Sequence, residues 1–183
     1  GLDTGAEAGN TWYYLWIIYN GSTVAGLIST SATAPTMPGG YTHKALIGAV
    51  RNDGSSNFVK TWISERKAQI ARQNVLAATA VSSINTFQSL SISSVVPPMA
   101  KTIGGTFGAG GAAPAAHGMR IAGSANNEGE QNEISWSYTG TANDTFVKAA
   151  PFDDCPLITA QTLYWTANTT DASSRIDISK YTF

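Results

Sequence analysis

The sequence predicts an all-β protein: an antiparallel β-sandwich, jelly-roll-like, forming a single domain over residues 1–183. Three observations carry that prediction. Short β-prone runs alternate with turn clusters along the whole chain, the spacing of a sandwich or jelly roll. No stretch sustains a helical period. The dipeptide Asn20-Gly21 stands between two β-prone runs, and both residues tolerate the positive φ that a two-residue hairpin turn demands.

Taken in order, residues 1–10 are mostly glycine, alanine and acid and read as a lead-in. Residues 11–31 are the hairpin. Its first strand is apolar in both alternating sets: Trp12, Tyr14, Trp16 and Ile18 on one side, Tyr13, Leu15, Ile17 and Tyr19 on the other. A strand with one wet face alternates apolar with polar, so this one requires cover on both faces. A loop with Pro35, Pro38 and Gly39-Gly40 follows, then a strand from Tyr41 to Val50. The turn signal Asp53-Gly54 ends it, and Phe58 to Ile63 resumes β.

Residues 65–78 have helical propensities, but Lys67 occupies the place where a capping box from Ser64 needs Glu or Gln. Ala68, Ile70, Val75 and Leu76 also form no helical stripe, so the reading is strand. Phe87, Leu90 and Ile92 to Val96 form a further strand, stopped by Pro97-Pro98. The low-complexity stretch Ile103 to Pro114 reads as a flexible loop. Met119 to Ala122, Ile134 to Tyr138, Thr145 to Ala149, Thr159 to Ala167 and Arg175 to Phe183 complete the strands.

Composition bounds the function. Charged residues make up 13% of the chain, about half the usual share of roughly 25%. Small polar residues must therefore cover the surface, as in extracellular β-proteins and viral structural proteins. The net charge of −1 steers the chain to neither nucleic acid nor an anionic membrane. Arg66, Lys67 and Arg72, beside Glu65, read as a solvated face. No apolar run reaches the roughly 18 residues of a membrane span, so no membrane insertion is expected. The single cysteine, Cys155, reads as a buried structural thiol. The chain begins Gly1-Leu2-Asp3-Thr4 without a methionine and is expected to be a piece of something longer.

Few constellations carry chemistry. The glycines Gly105, Gly108, Gly110 and Gly111 lack the Lys-Ser/Thr of a phosphate loop. His43 and His117 lie beside Gly-, Pro- or Ala-rich segments, with no nucleophile elbow, and read as surface residues. Residues 126–133 hold three carboxylates and four amides, which could bond sugar hydroxyls or Ca²⁺, or simply form a solvated turn. Carboxylates Glu128, Glu130, Glu133, Asp153 and Asp154 are the candidates for a hydrolytic pair. Trp136, Tyr138, Tyr164 and Trp165 could stack on a sugar or pack in a core. The candidate ligand-binding set is thus Glu128, Glu130, Trp136, Tyr138, Tyr164 and Trp165, with no catalytic residue, cofactor or metal expected.

Several phrases in chain order carry a resemblance: Gly1-Leu2-Asp3-Thr4-Gly5, Thr11-Trp12-Tyr13-Tyr14, and the stretch from Leu27 to Tyr41. Ile47 to Gly54, Val96-Pro97-Pro98-Met99-Ala100 and the closing Ile178-Ser179-Lys180-Tyr181-Thr182-Phe183 continue it. Together they resemble a C-terminal module of tail-fibre and related virion structural proteins of tailed bacteriophages and prophages. The resemblance implies β structure, a homotrimer, other virion proteins as partners and a place on the surface of the virion. It also implies contact with a host surface polysaccharide, without enzymatic activity. A purely architectural decoration or oligomerisation domain and a glycan-degrading enzyme domain are the alternatives.

Overall fold

A computed structural model describes residues 1–78, 84–112, 116–131, 134–137, 145–169 and 173–183. The protein is all-β and sandwich-like, with antiparallel sheets and no helix among the described residues. It divides into two compact units: Gly1–Ile70 with Phe183, and Ala71–Thr182.

The first unit contains β1 (Trp12–Tyr19), β2 (Val24–Ser29) and β3 (His43–Arg51), in the order β2-β1-β3. The doubly apolar β1 is therefore the central strand. One side of it is covered: Tyr14, Trp16 and Ile18 are buried, and the Trp16 indole N–H donates to the Ser31 carbonyl at 3.2 Å. The other side is covered at one end alone. Tyr13 is 1% exposed, whereas Ile17 is 41% and Tyr19 38% exposed. The lead-in is tied to the edge of β2 by two backbone bonds, Ile28 N–H to the Gly1 carbonyl and Asp3 N–H to the Ile28 carbonyl.

The β1–β2 connection differs from the two-residue turn expected. Tyr19 pairs with Val24, so the loop holds Asn20 to Thr23. The Asn20 side-chain oxygen accepts the N–H groups of Ser22 (3.0 Å) and Thr23 (2.8 Å). That carboxamide closes a wider loop as an Asx turn, which propensity for a tight turn does not register. Gly21 alone supplies a positive φ there, at 99°. The two-residue turn occurs instead at Glu65-Arg66, between β4 (Thr61–Ser64) and β5 (Lys67–Ala78), where Ser64 pairs with Lys67. Residues 67–78 are strand, as their missing helical stripe implied.

The second unit contains β6 (Gln88–Ser91), β7 (Thr102–Ala112), β8 (Ala116–Ala122), β9 (Ile134–Ser137), β10 (Thr145–Pro156), β11 (Thr162–Ala167) and β12 (Ser173–Thr182). Here the sheet orders are β10-β7-β12-β5 and β6-β11-β8-β9. Ile103, Phe107, Ile176 and Ile178 from one sheet, and Met119, Ile121, Leu163 and Trp165 from the other, are buried.

Two expectations are corrected in this unit. The segment Ile92–Val96 is a tight turn, with the N–H groups of Val95 and Val96 both donating to the Ile92 carbonyl at 3.0 Å. The glycine-rich stretch is not a flexible loop but β7, paired on both sides. Its glycines sit where neighbours crowd the backbone. A Cβ on Gly105 would lie 2.0 Å from the Asp177 carbonyl oxygen, and one on Gly108 2.6 Å from that of Lys148. A Cβ on Gly111 would meet the His117 ring at 2.0 Å. Glycine is used here for close approach rather than for flexibility.

Two outcomes follow from these positions. Gly105→Ala meets rigid backbone and lowers stability by about 1–3 kcal/mol, whereas Gly26→Ala, with open space around it, does not. Thermal unfolding of both variants distinguishes packing from mere composition. Gly21→Val has no steric neighbour but a φ of 99°; the strained backbone costs about 1–3 kcal/mol in the same assay.

Candidate functional site

Two of the candidate ligand residues come together. Along β11, Leu163, Trp165 and Ala167 point inward, at 0%, 6% and 1% exposure, so the intervening Tyr164 points outward. Tyr164 pairs with Ala122 of β8 and Ser89 of β6. Arg120, two residues before Ala122, shares that outer face as the diagonal neighbour of Tyr164. Its guanidinium lies 3.5 Å from the Glu130 carboxylate and 5.4 Å over the Phe87 ring. The outer face thus gathers Phe87, Arg120, Glu130 and Tyr164: two rings, a cation and an anion.

The other candidates go elsewhere. Trp165 lies in the buried layer on the opposite side of the sheet. The Glu128 carboxylate accepts the Ser124 hydroxyl within its own turn, and the Gly123 N–H donates to the Glu128 carbonyl at 2.8 Å. Trp136 occupies β9, its backbone paired with His117. Tyr138, Asn132 and Glu133 lie outside the described residues. Among the hydrolytic candidates, Asp153 pairs with Lys180, and the Thr102 hydroxyl lies 3.4 Å from Asp154.

His43 is exposed, as read from its surroundings. His117 is not. It is fully buried against Gly111, with Nδ1 3.1 Å from the Thr169 hydroxyl. The missing side chain of Gly111 makes that room, a pairing across the β7–β8 connection that local composition conceals. Cys155 is a buried thiol, and burial pushes its pKa up to about 12. It is therefore protonated and inert in the native state.

A third cluster had no signal in the sequence. Asp177 on β12 is 3% exposed although it faces outward, because polar groups cover it. The Asn74 amide donates to Oδ1 at 3.0 Å, and Arg175 Nε to Oδ2 at 2.8 Å. Arg72 Nε stands 4.0 Å from the same Oδ2. Burial pulls the Asp177 carboxyl upward. The bonds from Arg175 and Asn74 and the charges of Arg175 and Arg72 outweigh it, so the net shift is downward. These four residues sit on β5 and β12, a hundred residues apart in sequence, and only the pairing of those strands joins them. Among the described residues, no group of three His, Cys, Asp or Glu side chains is arranged to hold a metal.

With this geometry in view, the chain was compared with known proteins: no family model matches it, and no curated protein matches it.

The Asp177 cluster makes stability depend on pH. Its folded carboxyl titrates below the ordinary value of 3.8. The ionised form therefore stabilises the fold above that pH, and the contribution is lost as pH falls through the lower folded value. Asp177→Ala costs about 1–3 kcal/mol at neutral pH. The gap between wild type and variant narrows in thermal melts taken below pH 3.8.

Proposed function

We propose that this chain is a structural domain of a bacteriophage virion, a fibre-tip or receptor-binding module on the particle surface. In this reading it is a homotrimer held among other virion proteins, and it contacts a host surface glycan without enzymatic activity. The observation that carries the reading is the half-covered β1. Ile17 and Tyr19 lie beside Val24 of β2, which is 65% exposed, and Ala45 of β3. Exposed apolar surface of this kind marks protein contacts on otherwise polar molecules. The charged share of 13% leaves few groups to keep such a face solvated. Closed rotational symmetry is the common way for copies of one chain to bury it, and the phage fibre proteins that the chain resembles are threefold.

Of the two β1 faces, the side with Trp12 and Trp16 is occupied by the chain itself, since Trp16 is 6% exposed. In this reading the subunit contact falls on the side with Tyr13 and Ile17, at its open end around Ile17 and Tyr19, since Tyr13 is itself covered by the chain. The Phe87, Arg120 and Tyr164 face suits sugar contact: rings meet the C–H face of a pyranose while the polar groups meet its hydroxyls. A purely architectural domain draws support from the same apolar side of β1. Deleting the domain from the particle separates the two. Intact particles that fail to adsorb support receptor binding, and unassembled fibres or fragile heads support architecture.

Light scattering tests the assembly. The expected species has three times the 19.2 kDa mass of one chain. Ile17→Glu combined with Tyr19→Lys yields a folded monomer by the same measurement. A wild-type monomer at micromolar concentration, unchanged on concentration, would rule the trimer out.

A further inference from the structure

The cluster around Asp177 is more than a strand-to-strand clamp. We propose that Arg72 and Arg175 form a binding site for a carboxylate borne on a sugar ring, as in a uronic acid unit of an acidic polysaccharide. The sugar rests on the glycan reading above; the carboxylate rests on the cluster alone.

Both Nε atoms lie within 4.0 Å of one oxygen, Asp177 Oδ2, so the two guanidiniums converge on the same carboxylate. Asp177 is itself fixed, buried and bonded through its other oxygen to Asn74. One carboxylate between two guanidiniums leaves one positive charge in excess. A clamp needs a single arginine, and Arg175 serves at 2.8 Å. At 4.0 Å, Arg72 Nε makes no hydrogen bond and contributes charge alone.

The donors are open. The side chains of Arg72 and Arg175 are 63% and 58% exposed. Asp177 is the one ion-pair partner of both among the described residues. A planar guanidinium presents paired N–H groups that match the two oxygens of a carboxylate. Next to Arg175 and Asp177, a notch of about 30 Å³ is lined by Thr106, Phe107, Gly108 and Ala149. That is room for about one small polar group, so the rest of a ligand lies on the open sheet. Gly108, directly opposite Arg175, and the exposed Ala149 keep that surface low. Thr106, whose side chain carries a hydroxyl, lines the same notch and can meet a sugar hydroxyl. The net charge of −1 argues against nucleic acid as the bearer of the anion.

The test is a titration of the intact protein with tetragalacturonate, followed by the Nε–Hε NMR signals of Arg72 and Arg175. Galactose tetramer and inorganic phosphate serve as separate arms. Saturable shifts with the uronate alone, weakened by added salt, are expected. Arg175→Gln and Arg72→Gln each weaken binding about tenfold, the value of one charge-assisted bond. Ala149→Glu abolishes binding while leaving both arginines and Asp177 in place, and circular dichroism checks that each variant is folded. Equal response to phosphate overturns the carboxylate assignment. Equal response to the neutral tetramer overturns the role of charge, and no response to any arm overturns the site. If host glycan binding survives Arg175→Gln and Arg72→Gln unchanged, the glycan reading stands and this site does not.

Discussion

The second unit depends on one constraint: the backbone of β7 must be approached closer than a side chain allows. The Asp177 carbonyl, the Lys148 carbonyl and the His117 ring all occupy space that a Cβ at Gly105, Gly108 or Gly111 would fill. Glycine at these positions lets β10 and β12 pair with β7 on either side and leaves room for the buried imidazole. The same glycines also shape the notch beside Arg175, because Gly108 is part of its lining. Packing and the shape of the notch here share one origin, the glycines spaced along β7.

That origin explains what could and could not be read from the sequence. From Trp12 to Tyr19 and from Thr162 to Ala167 the strands were legible because β-branched and aromatic residues fill short runs bounded by turn residues. The strand at 67–78 was legible by elimination, since its apolar residues make no helical stripe. The β7 strand was not, since glycine carries no pattern and its composition looks the same in a loop. The Asn20-Gly21 turn was placed but mis-sized, because a side-chain oxygen rather than the backbone sets its width.

The candidate site was legible in part. Tyr164 faces outward and Trp165 inward because adjacent residues of a strand take opposite sides; sequence alone does not say which. Glu130 was found as part of an acidic turn, but its partner Arg120 was not, since the two meet only once that turn folds back over the end of β8. Arg72, Asn74, Arg175 and Asp177 form a polar group from two distant strands, and no local motif announces it. Low overall charge makes such a group conspicuous in the fold while leaving it invisible in the linear chain.

The place of β12 has a consequence for the order in which this molecule is made. β12 lies between β7 and β5, with Ile103 opposite Tyr181 and Thr102 opposite Thr182. During synthesis β7 can gain β10 on one side, but its other edge waits for residues made some seventy positions later. Contacts of such sequence separation are slow to form. The growing chain therefore carries an unfinished sheet with a gap at its centre, and a free β7 edge rich in glycine. Insertion of β12 between β7 and β5 is what completes this sheet.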